Sequence, residues 1–169
     1  MSMDGDARMQ LDPPRFEDVK PMLIAGMRAR YTSETVGDIP AQWQRMVPYL
    51  DSTAQRLERI DFGVIWDMRE GEEGFDYLSG FEVSDCTGLP AELLCIPIPA
   101  MRCAVFPHRM HVSRLKDTML FIWHQWLPAS GCEPAGGIEN VPDMIERYSE
   151  EFDPQTGLGG MEVWIPVKC

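Results

Sequence analysis

No run of about 18 apolar residues occurs in the 169-residue chain, so nothing in it reads as a membrane-spanning helix. Basic residues are scarce. Against 27 Asp and Glu stand 15 Lys and Arg, a formal net charge of −12. No basic stripe or cluster offsets that field, which repels phosphate backbones and argues against direct nucleic-acid binding. The opening "MSMDGDARMQLD" is polar with no apolar run, so no signal peptide is expected there, and the product is expected in the cytoplasm. There is no G-x-S-x-G, phosphate loop or dinucleotide fingerprint, which excludes the enzyme classes those motifs mark. Cysteine is sparse and unpatterned: Cys86, Cys95, Cys103, Cys132 and Cys169 are odd in number, widely spaced and without C-x-x-C. Small buried thiols in a reducing compartment are the expectation. His108 and His111 in "HRMH", with His124 further on, find no third and fourth ligand at a convincing spacing, so neither metal nor cofactor is expected. Cys103 and His108 do not form a nucleophile pair as strand neighbours.

Apolar residues make up 44% of the chain and charged residues 25%, enough for one domain with a real core. Strands are expected in "MLIAGMRARYT", where Gly26 marks a bulge or a close approach, and in "DFGVIWDM" and "FDYLSGFEVSD", a hairpin joined by "REGEEG". Further strands are expected in "LLCIPIPAM", an edge strand because of Pro97 and Pro99, and in "RCAVFPHRM", "DMIERYS" and "MEVWIPVKC". A first helix begins near Asp38 and Pro40, with Trp43, Met46, Val47 and Leu50 as its apolar stripe and a kink or end at Pro48. A second, "VSRLKDTMLFIWHQWLPASG", is capped at Ser113, carries Leu115, Met119, Ile122 and Trp126, and stops at Pro128 to Gly131. Each half thus holds a helix with a tryptophan followed by two strands. The expected fold is α+β: duplicated helix-plus-antiparallel-sheet lobes, about 15–85 and 90–169, with a ligand cleft along their seam and a flexible tail over 1–14.

The stretch "MIERY" is the most informative. Alternation puts Met144, Glu146 and Tyr148 on one face of a strand and Ile145 and Arg147 on the other. An acid aimed with a methionine and a tyrosine is exposed, paired with Arg147 or Arg102, or held for a cation. Tyr77, Trp66, Phe106, Trp123 and Trp164 are candidate walls for such a site, since ring faces attract cations. Twelve methionines suit a pocket that accepts varied ligands. Trp43 and Trp126 repeat with apolar neighbours at helical spacing and are assigned to the core. Glu82, opposite Tyr77 and Phe81 in its strand, faces solvent or serves as a helper acid.

In order along the chain, "AGMRARY", "IPAQWQRM", "FGVIWD", "FDYLSGFEV", "PAMRCAVFPHRM", "LKDTMLFIWHQWLPASG", "MIERYSEEF" and "MEVWIPVK" resemble the GyrI-like small-molecule-binding family, the effector-binding domain of AraC-type regulators. The resemblance covers roughly residues 15–168. It implies a duplicated α+β fold whose central pocket takes hydrophobic, often cationic compounds, with aromatic walls and a buried acid that falls on Glu146. Some members are fused to a helix-turn-helix and sense drugs; only a short tail precedes residue 15, so a stand-alone bacterial binder or multidrug sensor is expected. A homodimer and a separately encoded regulator are both left open as partners. Two alternatives stand beside the binder. One is a hydrolase of a strained electrophile with Glu146 as general base and Tyr148 or Tyr77 as acid or donor. The other is an acidic interaction module of the gyrase-inhibitor type, using "REGEEG" and "SEEFD".

Overall fold

Alternating apolar residues in the strands of the expected hairpin build the centre of the molecule. The computed structural model describes residues 11–68, 73–138 and 140–169. Its elements run β1 (Arg15–Val19), β2 (Met22–Tyr31), α1 (Ile39–Leu50), β3 (Arg56–Trp66), β4 (Phe75–Val83), β5 (Leu94–Ile98), β6 (Met101–His108), α2 (Leu115–Phe121), α3 (Leu127–Ser130), β7 (Glu133–Pro134), β8 (Met144–Tyr148) and β9 (Met161–Lys168). The strands form one curled antiparallel sheet, a half-barrel, in the order β1-β6-β9-β8-β3-β4-β2-β5, with the short β7 added on β9. Most of the expected tail, residues 1–10, and residues 69–72 of "REGEEG" lie outside the described residues.

The order holds two features that the strand pattern alone does not give. β5 closes on β2 and β1 on β6, so each half of the chain contributes an edge strand to the other. β3 and β8 pair at the centre and join the halves. The proline-bearing β5 is an edge strand, where a missing N–H costs no ladder bond. Gly26 is a close approach and not a bulge: it pairs with Gly80 in unbroken register, and a Cβ there would run into the Ser79 backbone.

The sheet has two apolar faces. Met22, Ile24, Phe62, Val64, Trp66, Leu78, Val105, Ile145 and Trp164 pack inside the curl. Tyr31, Ile65, Tyr77, Phe106, Met144, Val163 and Ile165 form the other face, which the helices cover through Ile39, Trp43, Ile122, Trp123 and Leu127. α1 passes Pro48 and runs two residues further, although Pro48 has no N–H to give the Gln44 carbonyl. Hydroxyls of Ser52 and Thr53 take up the last carbonyls, at Pro48 and Tyr49. The buried face of α1 is also turned from the expected stripe: Gln42 and Met46 are fully buried, whereas Val47 is 53% exposed. Asp38 makes no side-chain cap; a 3-10 turn over Val36–Asp38 leads into the helix instead.

The second helix is not continuous. A π-helical segment, Ile122–Trp126, separates α2 from α3. Pro128 has no N–H to donate, and its ring crowds the carbonyl four residues back, at His124 inside that segment; a wider turn relieves the conflict. His111, not Ser113, caps the 3-10 turn Val112–Arg114 that leads into α2, accepting from the Ser113 N–H. His108 is structural: Nε2 faces the His111 carbonyl and Nδ1 the Thr118 hydroxyl, and burial lowers its pKa.

The cysteine expectation is overturned. Cys86 bonds to Cys95 and Cys132 to Cys169, leaving only Cys103 free, and it is buried. The topology explains what spacing could not: Cys95 sits on edge strand β5 beside the connector holding Cys86, and Cys169 follows β9, whose neighbour β7 starts next to Cys132. Burial pushes the Cys103 thiol up to about 12. Titration with a thiol reagent is therefore expected to find none in the native protein, one after unfolding without reductant, and all five after reduction. No helix among the described residues is long and apolar enough to cross a membrane.

Candidate functional site

The central ladder sets Glu146 of β8 directly opposite Gly63 of β3, with Ser79 of β4 next across the sheet. All three lie on the helix-covered face. Because Gly63 has no side chain, Tyr77 can lean across it from β4 and donate its hydroxyl to Glu146 Oε1 at 2.7 Å. Tyr148, two residues along β8 and on the same face, donates to the same oxygen at 2.9 Å. Trp43 on α1 donates its indole N–H to the Tyr77 oxygen at 3.0 Å, extending the chain to Trp43, Tyr77, Glu146 and Tyr148. Rings complete the wall: Trp43 meets Tyr148 edge-on at 5.9 Å, and Phe152 lies 5.0 Å from Tyr148.

Among the described residues Glu146 has no basic partner and its Oε2 forms no hydrogen bond, both tyrosines going to Oε1. Arg147 instead reaches Glu162 on the other face at 3.5 Å, and Arg102 pairs with Asp18 at 3.0 Å. Burial raises the Glu146 pKa, with the two tyrosine hydrogen bonds pulling the other way. Burial, reinforced by the Glu146 charge, drives Tyr77 and Tyr148 well above their ordinary value, so both stay protonated donors.

α1 is pinned above this cluster by Gln42, which is fully buried. Its Oε1 accepts from Tyr31 at 2.5 Å, and its Nε2 donates to the Met27 carbonyl at 2.8 Å and to Ser79 Oγ at 2.9 Å. Trp123, in the π segment, packs against the same face, and its indole N–H is buried with no acceptor. A donor left unsatisfied in a native structure is a place to look for a ligand's acceptor.

The expected residues divide. Glu146, Tyr77, Tyr148, Phe106 and Trp123 share the helix-covered face, with Phe106 fully buried under Trp126. Trp66 and Trp164 do not join them. Trp66 alternates with Gly63 and Ile65, and Trp164 with Val163 and Ile165, so both point inside the curl. Each already carries a resident cation: Arg28 lies 4.5 Å over Trp66, and Arg147 lies 6.0 Å from the Trp164 ring. Trp43 packs against the core as expected and also joins the Glu146 cluster through its N–H. Gln42, Gly63 and Phe152 were not singled out by the sequence. A strand glycine in "FGVIW" was the one available signal, since such a glycine often marks a close approach.

A family model described as the GyrI-like small-molecule-binding domain matches residues 12–168. The transcriptional regulator BrlR of Pseudomonas aeruginosa is 26% identical over 147 residues, covering 85% of this chain and 51% of the regulator; the chain spans about half the length of that curated relative. Among solved structures, SAV2435 bound to tetraphenylphosphonium superposes with a TM-score of 0.66 at 15% identity, over 92% of this chain and 93% of that one. EcmrR, from its DNA complex, gives 0.69 at 16% identity, over 96% of this chain and 59% of EcmrR. At these identities the solved structures speak for the fold, and the family match covers nearly the whole sequence. The chain belongs to the GyrI-like small-molecule-binding family.

Proposed function

We propose that this domain binds hydrophobic organic cations of varied shape, with Glu146 as the counter-charge and Tyr77, Tyr148, Trp43 and Trp123 as its walls. One observation carries the reading: a partly desolvated carboxylate has both tyrosine donors on one oxygen and, among the described residues, neither a partner for the other oxygen nor a cation to neutralise it. That arrangement is costly unless a ligand supplies the positive charge. The cation held by SAV2435, a protein of the same fold, supports the ligand class. Ring contacts add about 0.5–2 kcal/mol each, more where water is excluded. The indole N–H of Trp123 gives a directional contact for a ligand acceptor. Direct nucleic-acid binding stays outside the reading because of the −12 charge, and a homodimer or separate regulator would transmit the signal. The reading places the protein in the cytoplasm, where its two disulfides would answer to the local thiol poise.

Tetraphenylphosphonium has no titratable proton, so any pH dependence of its binding reports on the protein. Folding raises the Glu146 pKa, and the free protein therefore holds a proton between the ordinary glutamate value and the raised one. A bound cation expels that proton. Affinity measured by calorimetry is expected to climb as pH rises through this window and to level off above it, with proton release greatest inside it. A flat profile identical to that of Glu146→Gln sinks the assignment.

A second reading is favoured by Oε2, which accepts no hydrogen bond among the described residues: a carboxylate of raised pKa beside two hydroxyl donors can serve as general base toward water. It predicts turnover of a strained epoxide or cyclopropane that vanishes in Glu146→Ala. Absence of turnover across a panel of such electrophiles leaves the binder alone.

A further inference from the structure

On the opposite side of the sheet from Glu146 lies a cavity of about 440 Å³ at the mouth of the curl. Its walls are mostly apolar, with Met22, Leu57, Val83, Ile98 and prolines from the edges of β2 and β5, and they also include Ser84 and Asn140. It opens where the β3–β4 ladder is interrupted between Arg56 and Asp61, which leaves Leu57 unpaired and 53% exposed. The polar feature that sets its chemistry is Glu82. Glu82 pairs across the sheet with Ile24 and so faces the inside of the curl together with Leu78. It forms no ion pair or hydrogen bond among the described residues. Arg56, whose guanidinium lies over the Phe81 ring next to Glu82 in β4, is committed to Asp61 at 2.9 Å. Burial, with the charge of Glu58 added, raises the Glu82 pKa.

We propose that this cavity is a second, independent binding site for a small amphiphilic ammonium ion, whose charged head pairs with Glu82 and whose apolar tail lies against Met22, Leu57 and Ile98. A mostly apolar hollow with one unpaired carboxylate on its wall favours an organic cation over a neutral or anionic molecule of the same shape, since only the cation complements that charge. An ammonium suits it better than a bulky phosphonium, because a compact point charge can approach one carboxylate closely. The site does not depend on Glu146: it lies on the other face and shares no residue with the tyrosine cluster.

The experiment uses the full chain labelled with carbon-13 at methionine methyls, with 4-phenylbutylammonium as probe and 4-phenylbutanol as its neutral match. Met22 lines this cavity and Met144 lies on the other face, so the two resonances, assigned by conservative Met→Leu variants, separate the sites. Met22 is expected to shift with saturation in the wild type and in Glu146→Gln alike. The same shift is expected to need at least about tenfold more probe in Glu82→Gln. The neutral alcohol is expected to bind at least about tenfold more weakly, a comparison made on the wild type that stands whether or not the Glu82 variant folds. The proposal is overturned if only Met144 responds, if Glu82→Gln leaves the Met22 titration unchanged, or if the alcohol binds as well as the ammonium. A Met22 response that disappears in Glu146→Gln also overturns it, by tracing the effect to the first site.

Discussion

Glu146→Gln is expected to bind tetraphenylphosphonium at least about tenfold more weakly than the wild type, yet to melt at a higher temperature. The two effects share one origin. Glutamine keeps an acceptor for Tyr77 and Tyr148, so the hydrogen-bonded cluster survives, but it removes the charge that burial disfavours. A gain of about 1 kcal/mol would raise the midpoint by about 2–4 °C for a chain of this size. The sign of its pH dependence follows from the raised pKa. The native state binds the proton more tightly than the unfolded chain, so wild-type stability falls as pH rises from the ordinary glutamate value through the folded one. The advantage of glutamine is therefore full above the folded pKa and shrinks on acidification. Binding sites commonly trade stability in this way. If the variant is destabilised at neutral pH and binds the cation as well as the wild type, Glu146 is a structural acid and the proposed site is wrong.

The orientation of Glu146 was legible because it needs only period-two alternation within one strand, and "MIERY" is a strand from Met144 to Tyr148. The edge position of β5 and the order of elements, apart from the unexpected strands β1 and β7, were legible for similarly local reasons. Trp66 and Trp164 show where that logic stops. Alternation fixes which residues of "DFGVIW" share a face, but not which face of that strand meets Glu146; the register of β3 on β8 decides this, and it is a long-range fact. Trp43 packs against the core as its helical spacing implies, and its N–H to Tyr77 is a further role that spacing does not report. Apolar spacing on α1 located the buried face to within one position, and the fully buried residue in the middle of it is a glutamine, Gln42, which no hydrophobic pattern reports. The disulfides depend on strand exchange between the halves, and the π segment on the conflict between Pro128 and the turn before it.

Gly63→Ala is the sharpest test of how the site is built, because local propensity and the site predict opposite signs. A glycine inside a strand costs about 0.5–1 kcal/mol relative to alanine, so the substitution would ordinarily stabilise β3. Here a Cβ would overlap both the Tyr77 hydroxyl and Glu146 Oε1, the two atoms of the central hydrogen bond. Neither can move without leaving a buried donor or acceptor unmatched, a cost of about 1–3 kcal/mol. Tyr77 would also pull away from the Trp43 N–H it accepts. The variant is expected to lose about 1–2 kcal/mol net by denaturant unfolding and to weaken cation binding at least about tenfold. Gly37→Ala is the matched control, since a Cβ there meets nothing within 4 Å. Should Gly63→Ala prove as stable as Gly37→Ala and bind tetraphenylphosphonium unchanged, the contact between Tyr77 and Glu146 across Gly63 is not what organises the site, and the carboxylate must be held by other means.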